Sequence, residues 1–153
     1  MKRPLLIIIL VFVVIILTLV GMILHNNSIN AAIQKENRVY EIYLGKNIMG
    51  TEVATLIGKV TEQNIRNEIP KNEKGIYIDN GENSIRIDIK MNTVDNTYPM
   101  ETITDNNIVA FIQNFNFIEF TCTDIEYHKK TGKISRIIFE EIEEEIEIVE
   151  DIE

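Results

Sequence analysis

The 153-residue chain has one cysteine, no tryptophan, three prolines and two histidines. A single thiol excludes an intramolecular disulfide framework and a multi-cysteine zinc site. Alanine is almost absent, at positions 31, 32, 54 and 110 only, whereas isoleucine fills 30 positions and asparagine is abundant. Ile, Asn and Lys have AT-rich codons, so this bias points to an AT-rich, bacterial genome. It also inflates every apparent β-propensity. The length suits one domain with an anchor and leaves no room for a multidomain enzyme.

No excess of positive charge is present either. Against 15 Lys and Arg stand 24 Asp and Glu, a formal net charge of −9. Nucleic acid is therefore excluded as a partner, because displacing its counterions needs a cationic surface. The charge is local. Nine acids and no base lie between Glu140 and Glu153, so residues 1–139 are electrically balanced.

What the chain does have is one long apolar run. Leu5–Leu24 is interrupted only by Thr18 and Gly21. Twenty residues at 1.5 Å each span about 30 Å, the hydrocarbon thickness of a bilayer, and in lipid such a segment must be helical to satisfy its backbone. The run is longer than the roughly 7–15 apolar residues of a cleaved signal peptide, and the exit His25-Asn26-Asn27-Ser28 offers no small-residue cleavage pair. An uncleaved transmembrane helix is expected. Lys2 and Arg3 precede it, which places residues 1–4 in the cytoplasm and the rest outside a single-pass cell membrane.

Helical spacing continues through Ile29, Ala32, Ile33, Val39, Tyr40 and Tyr43, predicting an extension of the anchor over residues 25–45 that Gly45 ends. Asn26, Asn27 and Asn30 are weak helix formers and mark where it could break.

Residues 46–139 then form an extracytoplasmic domain. Thr51 is expected to cap a helix carrying Val53, Leu56, Ile57 and Val60 on one face and fading near Asn67. Pro70 to Gly75 is a loop. Ile76 and Ile78 followed by Ile85, Ile87, Ile89 and Met91 predict a hairpin turning at Asp79–Asn83. Tyr98–Ile103 adds a strand beginning at Pro99 or lying at an edge. Asp105–Asn116 is helical, capped by Thr104 or Asp105, with Ile108, Phe111, Ile112 and Phe115 as its stripe. Residues 117–127 and 133–139 form a second hairpin around Gly132. The expected fold is α+β, a long N-terminal transmembrane helix followed by an antiparallel sheet of hairpins with two packed helices.

Residues 140–153 form an acidic tail whose first part extends the last strand. Ile142, Ile146, Val149 and Ile152 fit a helix, while the even-numbered isoleucines fit a strand equally well. Such a tail solvates, docks into a basic or apolar groove, or weakly collects divalent cations.

Candidate chemistry is sparse. Cys122 and His128, six residues apart on one strand, are separated by roughly 20 Å and cannot form a dyad, so Cys122 is expected to be a small buried hydrophobe. Asp79-Asn80-Gly81-Glu82-Asn83 faintly suggests a calcium loop but lacks the twelve-residue spacing and terminal Glu, and its residues suit a turn. No phosphate-binding, dinucleotide, zinc-protease or serine-hydrolase motif occurs. No catalytic, cofactor-binding or metal residue is assigned, no cofactor is implied, and an enzyme is not expected.

The segments Tyr40-Glu41-Ile42-Tyr43-Leu44-Gly45-Lys46, Met49-Gly50-Thr51-Glu52-Val53, Tyr77-Ile78-Asp79 and Tyr127-His128-Lys129-Lys130-Thr131-Gly132 resemble a group of uncharacterised single-pass membrane proteins from clostridia-like bacteria. The topology, a long amino-terminal helix feeding an antiparallel sheet, is also similar to type IV pilins and pseudopilins. The pilin Gly before the cleavage point and the Glu five residues into the mature segment are absent. The single-pass group implies no known activity; the role expected is that of a non-enzymatic, membrane-anchored extracytoplasmic protein acting through protein–protein contact, such as a pilin-like or cell-surface machinery component. The alternative is an extracytoplasmic sensor or binding domain for a small molecule or envelope polymer.

Overall fold

A computed structural model describes residues 2–92, 96–104 and 107–142. The chain divides into two units, residues 1–38 and residues 39 onward. Helix α1, Lys2–Glu41, makes up the first and its last three residues belong to the second; its 40 residues run about 60 Å. From Ile7 to Leu24 its large apolar side chains are exposed on every face. A helix that is apolar all round and covered by no protein fits a membrane anchor, since lipid is the solvent that suits it. Thr18, the one hydroxyl of the Leu5–Leu24 run, donates to the Ile15 carbonyl at 2.7 Å and so carries no unsatisfied donor.

The helix does not break at Asn26, Asn27 or Asn30. Each costs only a fraction of a kcal/mol in an established helix, about 0.7 at most, and propagation through the neighbouring turns outweighs it. It stops at Glu41, slightly before the expected end. Tyr43 and Leu44 donate to the carbonyls of Tyr40 and Glu41 in a tightened last turn, and Gly45 takes a left-handed conformation, φ +69°.

The second unit is α+β. Its elements are β1 (Asn47–Met49), α2 (Gly50–Arg66), β2 (Arg86–Met91), β3 (Asn96–Pro99), a 3₁₀ turn (Met100–Thr102), α3 (Ile108–Phe115), β4 (Glu119–Tyr127) and β5 (Ile134–Glu141). The sheet order is β1-β4-β5-β2-β3. Every pairing is antiparallel except β2 with β5, which is parallel.

The second hairpin forms as expected, with Phe120 and Cys122 buried, Thr123 facing solvent and Gly132 turning it at φ +69°, but a bulge after Cys122 shifts the phase so that Ile125 is the next buried residue. The expected hairpin over 76–91 does not form. Residues 70–78 make their own tight loop instead. Lys71 bridges Tyr77, Ile78 donates to the Pro70 carbonyl, and Gly75 sits at φ +77°. Tyr77 is the buried residue and Ile78 is exposed, the reverse of the expected phase. Released from Ile78, β2 pairs with β3 on one side and β5 on the other. The crossover needed to bring two strands parallel is supplied by β3, α3 and β4 between them.

Three boundaries also move. Helix α2 begins at Gly50 with Met49 at its cap position, so Thr51 is inside the helix and caps nothing. A Cβ on Gly50 would meet the Phe115 carbonyl oxygen at 2.0 Å, so a close approach to the end of α3 requires glycine there. Helix α3 starts at Ile108 after Asn107, and neither Thr104 nor a side-chain bond caps it. Asp105 lies outside the described residues. Strand β3 ends at Pro99, where it was expected to begin, though it is indeed an edge strand.

The core is the apolar stripe of α2, Val53, Leu56, Ile57 and Val60, laid on Ile87, Ile89, Phe120, Ile137 and Phe139 of the sheet. Burying each such side chain contributes roughly 1.5–3 kcal/mol. Helix α3 adds Phe111, whose ring lies 5.0 Å from that of Phe115 and 6.1 Å from that of Phe120. At the carboxyl end, Glu140 and Glu141 continue β5 as expected, and the tail from residue 143 lies outside the described residues.

Candidate functional site

The sheet face opposite the apolar core carries charge in rows. Arg86, Asp88 and Lys90 alternate along β2 with buried Ile87 and Ile89. Register places Arg86 beside Arg136 of β5, and Arg136 beside Glu126 of β4. The row Arg86–Arg136–Glu126 thus crosses three strands. Lys90 pairs with Glu140 further along the same face.

Arg136 is committed. Its Nε donates to Asp88 Oδ2 at 2.6 Å, Nη2 pairs with the same oxygen, and Nη1 reaches Glu126 Oε1 at 3.4 Å. Asp88 is almost wholly buried, and its negative charge is tolerated there because Arg136 lies against it. The hydrogen bond to Asp88 raises the Arg136 pKa further above its ordinary value. Arg86 differs. Among the described residues its guanidinium makes no side-chain hydrogen bond or ion pair, and its charge adds a small downward push to the Asp79 carboxyl.

Beside this row the chain closes a polar loop on itself. Asn80 Oδ1 accepts from the backbone N–H groups of Glu82, Asn83 and Ser84, and Gly81 takes φ +70°. Asp79 Oδ1 accepts from the Gly81 N–H at 2.8 Å and from the Ser84 hydroxyl at 3.0 Å. The Gly81 N–H holds the Asp79 carboxyl below its ordinary value, with Ser84, His128 and Arg86 acting in the same direction and burial opposing them. The turn between β4 and β5 clasps this loop. Thr131 donates to the Glu82 carbonyl, Lys130 pairs with the Glu82 carboxylate, and the buried His128 ring lies between Ser84 and Asp79. His128 Nε2 is 2.7 Å from the Ser84 carbonyl oxygen, which can only accept, so Nε2 carries a proton. Nδ1 is 3.6 Å from Asp79 Oδ1.

Between the loop and the charged row opens a cleft of about 170 Å³. Tyr77, Asp79, Ser84, Arg86, Glu126 and Arg136 line it, together with Ser135. It offers one guanidinium with open donors, two carboxylates and two serines. That arrangement can bind and orient a small charged molecule by paired hydrogen bonds.

The residues singled out from sequence take other places. Cys122 is fully buried in the core as expected. Burial, helped by the Asp124 carboxylate, pushes its thiol up to about 11, which leaves it protonated and unreactive at neutral pH. His128 lies just past the end of that strand, engaged with the 79–84 loop. The Asp79 and Asn80 side-chain oxygens accept from the loop's own N–H groups and the Glu82 carboxylate pairs with Lys130, and among the described residues no three His, Cys, Asp or Glu side chains gather into a metal-binding group.

Sequence reasoning missed the Arg86–Arg136–Glu126 row. The polar alternation of Arg86, Asp88 and Lys90 is visible in sequence, but nothing local tells which strand lies alongside. Comparison with protein-family models, curated proteins and solved structures found no match for the chain.

Proposed function

We propose that this is a membrane-anchored extracytoplasmic protein that acts through protein–protein contact, a role in which a pilin-like or cell-surface machinery component is included. The observation that carries it is the anchor. An apolar helix exposed on every face, preceded by Lys2 and Arg3, supports a tether whose folded unit is held outside. The order of elements, a long helix before a mostly antiparallel sheet, supports the pilin-like role. One face of that sheet, left to solvent and laced with opposite charges, suits specific contact more than tight burial.

Topology is tested by Lys129→Cys on intact cells with a membrane-impermeant maleimide. Cys122 stays silent because it is buried and its thiol is protonated. Labelling before lysis is expected, and labelling only after lysis refutes the orientation. Crosslinking in intact membranes followed by mass spectrometry should capture protein neighbours. Capture of lipids alone overturns the contact role.

A second reading, a small-molecule or envelope-polymer binding domain, is favoured by the polar cleft between the 79–84 loop and the charged row. At about 170 Å³ it is smaller than the roughly 300–1,000 Å³ of drug-sized sites, so its ligand or the inserted part of it is small.

A further inference from the structure

Arg86 and Arg136 stand side by side on adjacent strands, an arrangement of like charges that is unfavourable unless each is compensated. Asp88 compensates Arg136 through two contacts to one buried oxygen. Among the described residues no side chain makes such contacts to Arg86; Asp79 acts on it only through space across the cleft, and its planar donor fork is unengaged. A guanidinium in that condition matches a carboxylate, which accepts two parallel N–H bonds.

The surrounding charges restrict the ligand further. Asp79 and Glu126 line the same cleft, so its two carboxylates match its two guanidiniums, and Arg136 is already held by the buried Asp88. A multiply charged anion such as phosphate would be repelled at the far end. Glu126 makes only one long contact, 3.4 Å, to Arg136, and is exposed, so it has acceptor capacity left for a cation. Ser135 adds a hydroxyl to the same wall. The cleft volume of about 170 Å³ is room for a small molecule.

We infer that the cleft between the 79–84 loop and the β2-β5-β4 charged row binds a small zwitterion of the α-amino-acid type. Arg86 holds the carboxylate, and Glu126 meets the ammonium group. The clasp of His128, Lys130 and Thr131 on residues 82–84 fixes the loop that forms one wall, so the site is formed before the ligand arrives. This inference rests on the second reading above and narrows it to one ligand class.

The test uses the full chain in lipid nanodiscs, with isothermal titration calorimetry against L-alanine, acetate, ethylamine and N-acetylglucosamine. Saturable binding of L-alanine is expected, with acetate at least about tenfold weaker because it lacks the cation and ethylamine weaker still because it lacks the carboxylate. Arg86→Gln should weaken L-alanine at least about tenfold, while Glu126→Gln should narrow the gap between L-alanine and acetate. Thermal melting of each variant, unchanged from the parent, separates loss of the site from loss of the fold.

Equal affinity for L-alanine and acetate, or an Arg86→Gln variant that binds L-alanine as the parent does, overturns the inference. Binding of N-acetylglucosamine without L-alanine overturns it too, yet leaves a binding domain standing. Failure of L-alanine to saturate at all refutes this inference.

Discussion

Phe12 and Phe120 carry the same ring in opposite circumstances. Phe12 sits in the apolar stretch of α1 with 62% of its surface exposed, whereas Phe120 is 0% exposed beneath α2 and α3. Both regions draw on the same few aliphatic residue types. What separates them is pattern. The anchor has no polar period at all, so no face of it can be the inside, and its favourable solvent must be supplied from outside the protein. The body interrupts its apolar residues every second or every third and fourth position, and so defines a face to bury. One composition thus yields two kinds of stability, one borrowed from lipid and one internal.

Truncating the two rings measures that difference directly. Phe120→Ala is expected to destabilise the body by about 3–5 kcal/mol, the transfer loss plus a cavity between Phe111, Phe115 and the sheet. Phe12→Ala should leave the body's denaturant midpoint in detergent micelles where it was. Equal losses from both would mean that the anchor packs on the body, and the distinction would collapse.

Asparagine gives the same contrast in polar form. Asn64 is wholly buried in α2, where its Nδ2 donates to the Ile85 carbonyl at 2.7 Å and its Oδ1 accepts from the Ile85 N–H at 2.9 Å. It thereby serves as the sheet partner that Ile85, just before β2, does not have. Asn64→Ala orphans both backbone groups and is expected to cost about 2–4 kcal/mol, read from the same denaturant curves. Asn27→Ala in α1, an exposed position, should be neutral or slightly favourable to helicity by circular dichroism.

These pairs mark what could be seen in advance. The anchor, the α2 stripe and the β4–β5 hairpin were legible because each is a local period of one element. The 76–91 hairpin was misjudged because Ile76, Ile78 and Ile85–Ile89 share a β-like period that composition alone would produce. The residues that decide against it are Asn72 and Asn80, whose side chains capture nearby N–H groups and close two separate loops. The parallel pairing of β2 with β5 joins residues about fifty positions apart, and no period encodes that. Since the cleft exists only where that pairing sets Arg86 beside Arg136, the candidate site was illegible for the same reason.

A smaller effect concerns the ends of helices. Glu68, just past α2, is held at φ +54°, a left-handed conformation that a side chain disfavours by roughly 1–2 kcal/mol. Its backbone N–H still closes on the Ile65 carbonyl at 3.0 Å, and Ile69 closes on Asn64, so the helix end is satisfied at the cost of that strain. Glu68→Gly should therefore raise body stability by about 0.5–1 kcal/mol, after the entropy that glycine adds to the unfolded chain. The matching change in the anchor, Gly21→Ala, meets nothing within 4 Å and relieves no such strain. The body's melting temperature should not respond to it.

Acid provides the mildest way to tell the two regions apart. The Asp79 carboxyl is held below its ordinary 3.8, first by the Gly81 N–H and then by the Ser84 hydroxyl and nearby positive charge, with burial working against them. A carboxylate depressed in the folded state contributes stability that is fully present above its unfolded value and disappears as pH falls through the folded one. Asp79 is largely exposed, so solvent screens much of that contribution and the expected consequence is local. Below about pH 4 the Gly81 amide should exchange hydrogen faster, relative to the intrinsic rate, than it does at pH 6, while amides of β4 keep their protection. Asp79→Asn should abolish this pH step. Leu5–Leu24 contains no titratable side chain, so its amides should show no step over the same interval. A step of equal size in the anchor would mean that the 79–84 loop and the anchor open together, and that the tether is coupled to the cleft wall.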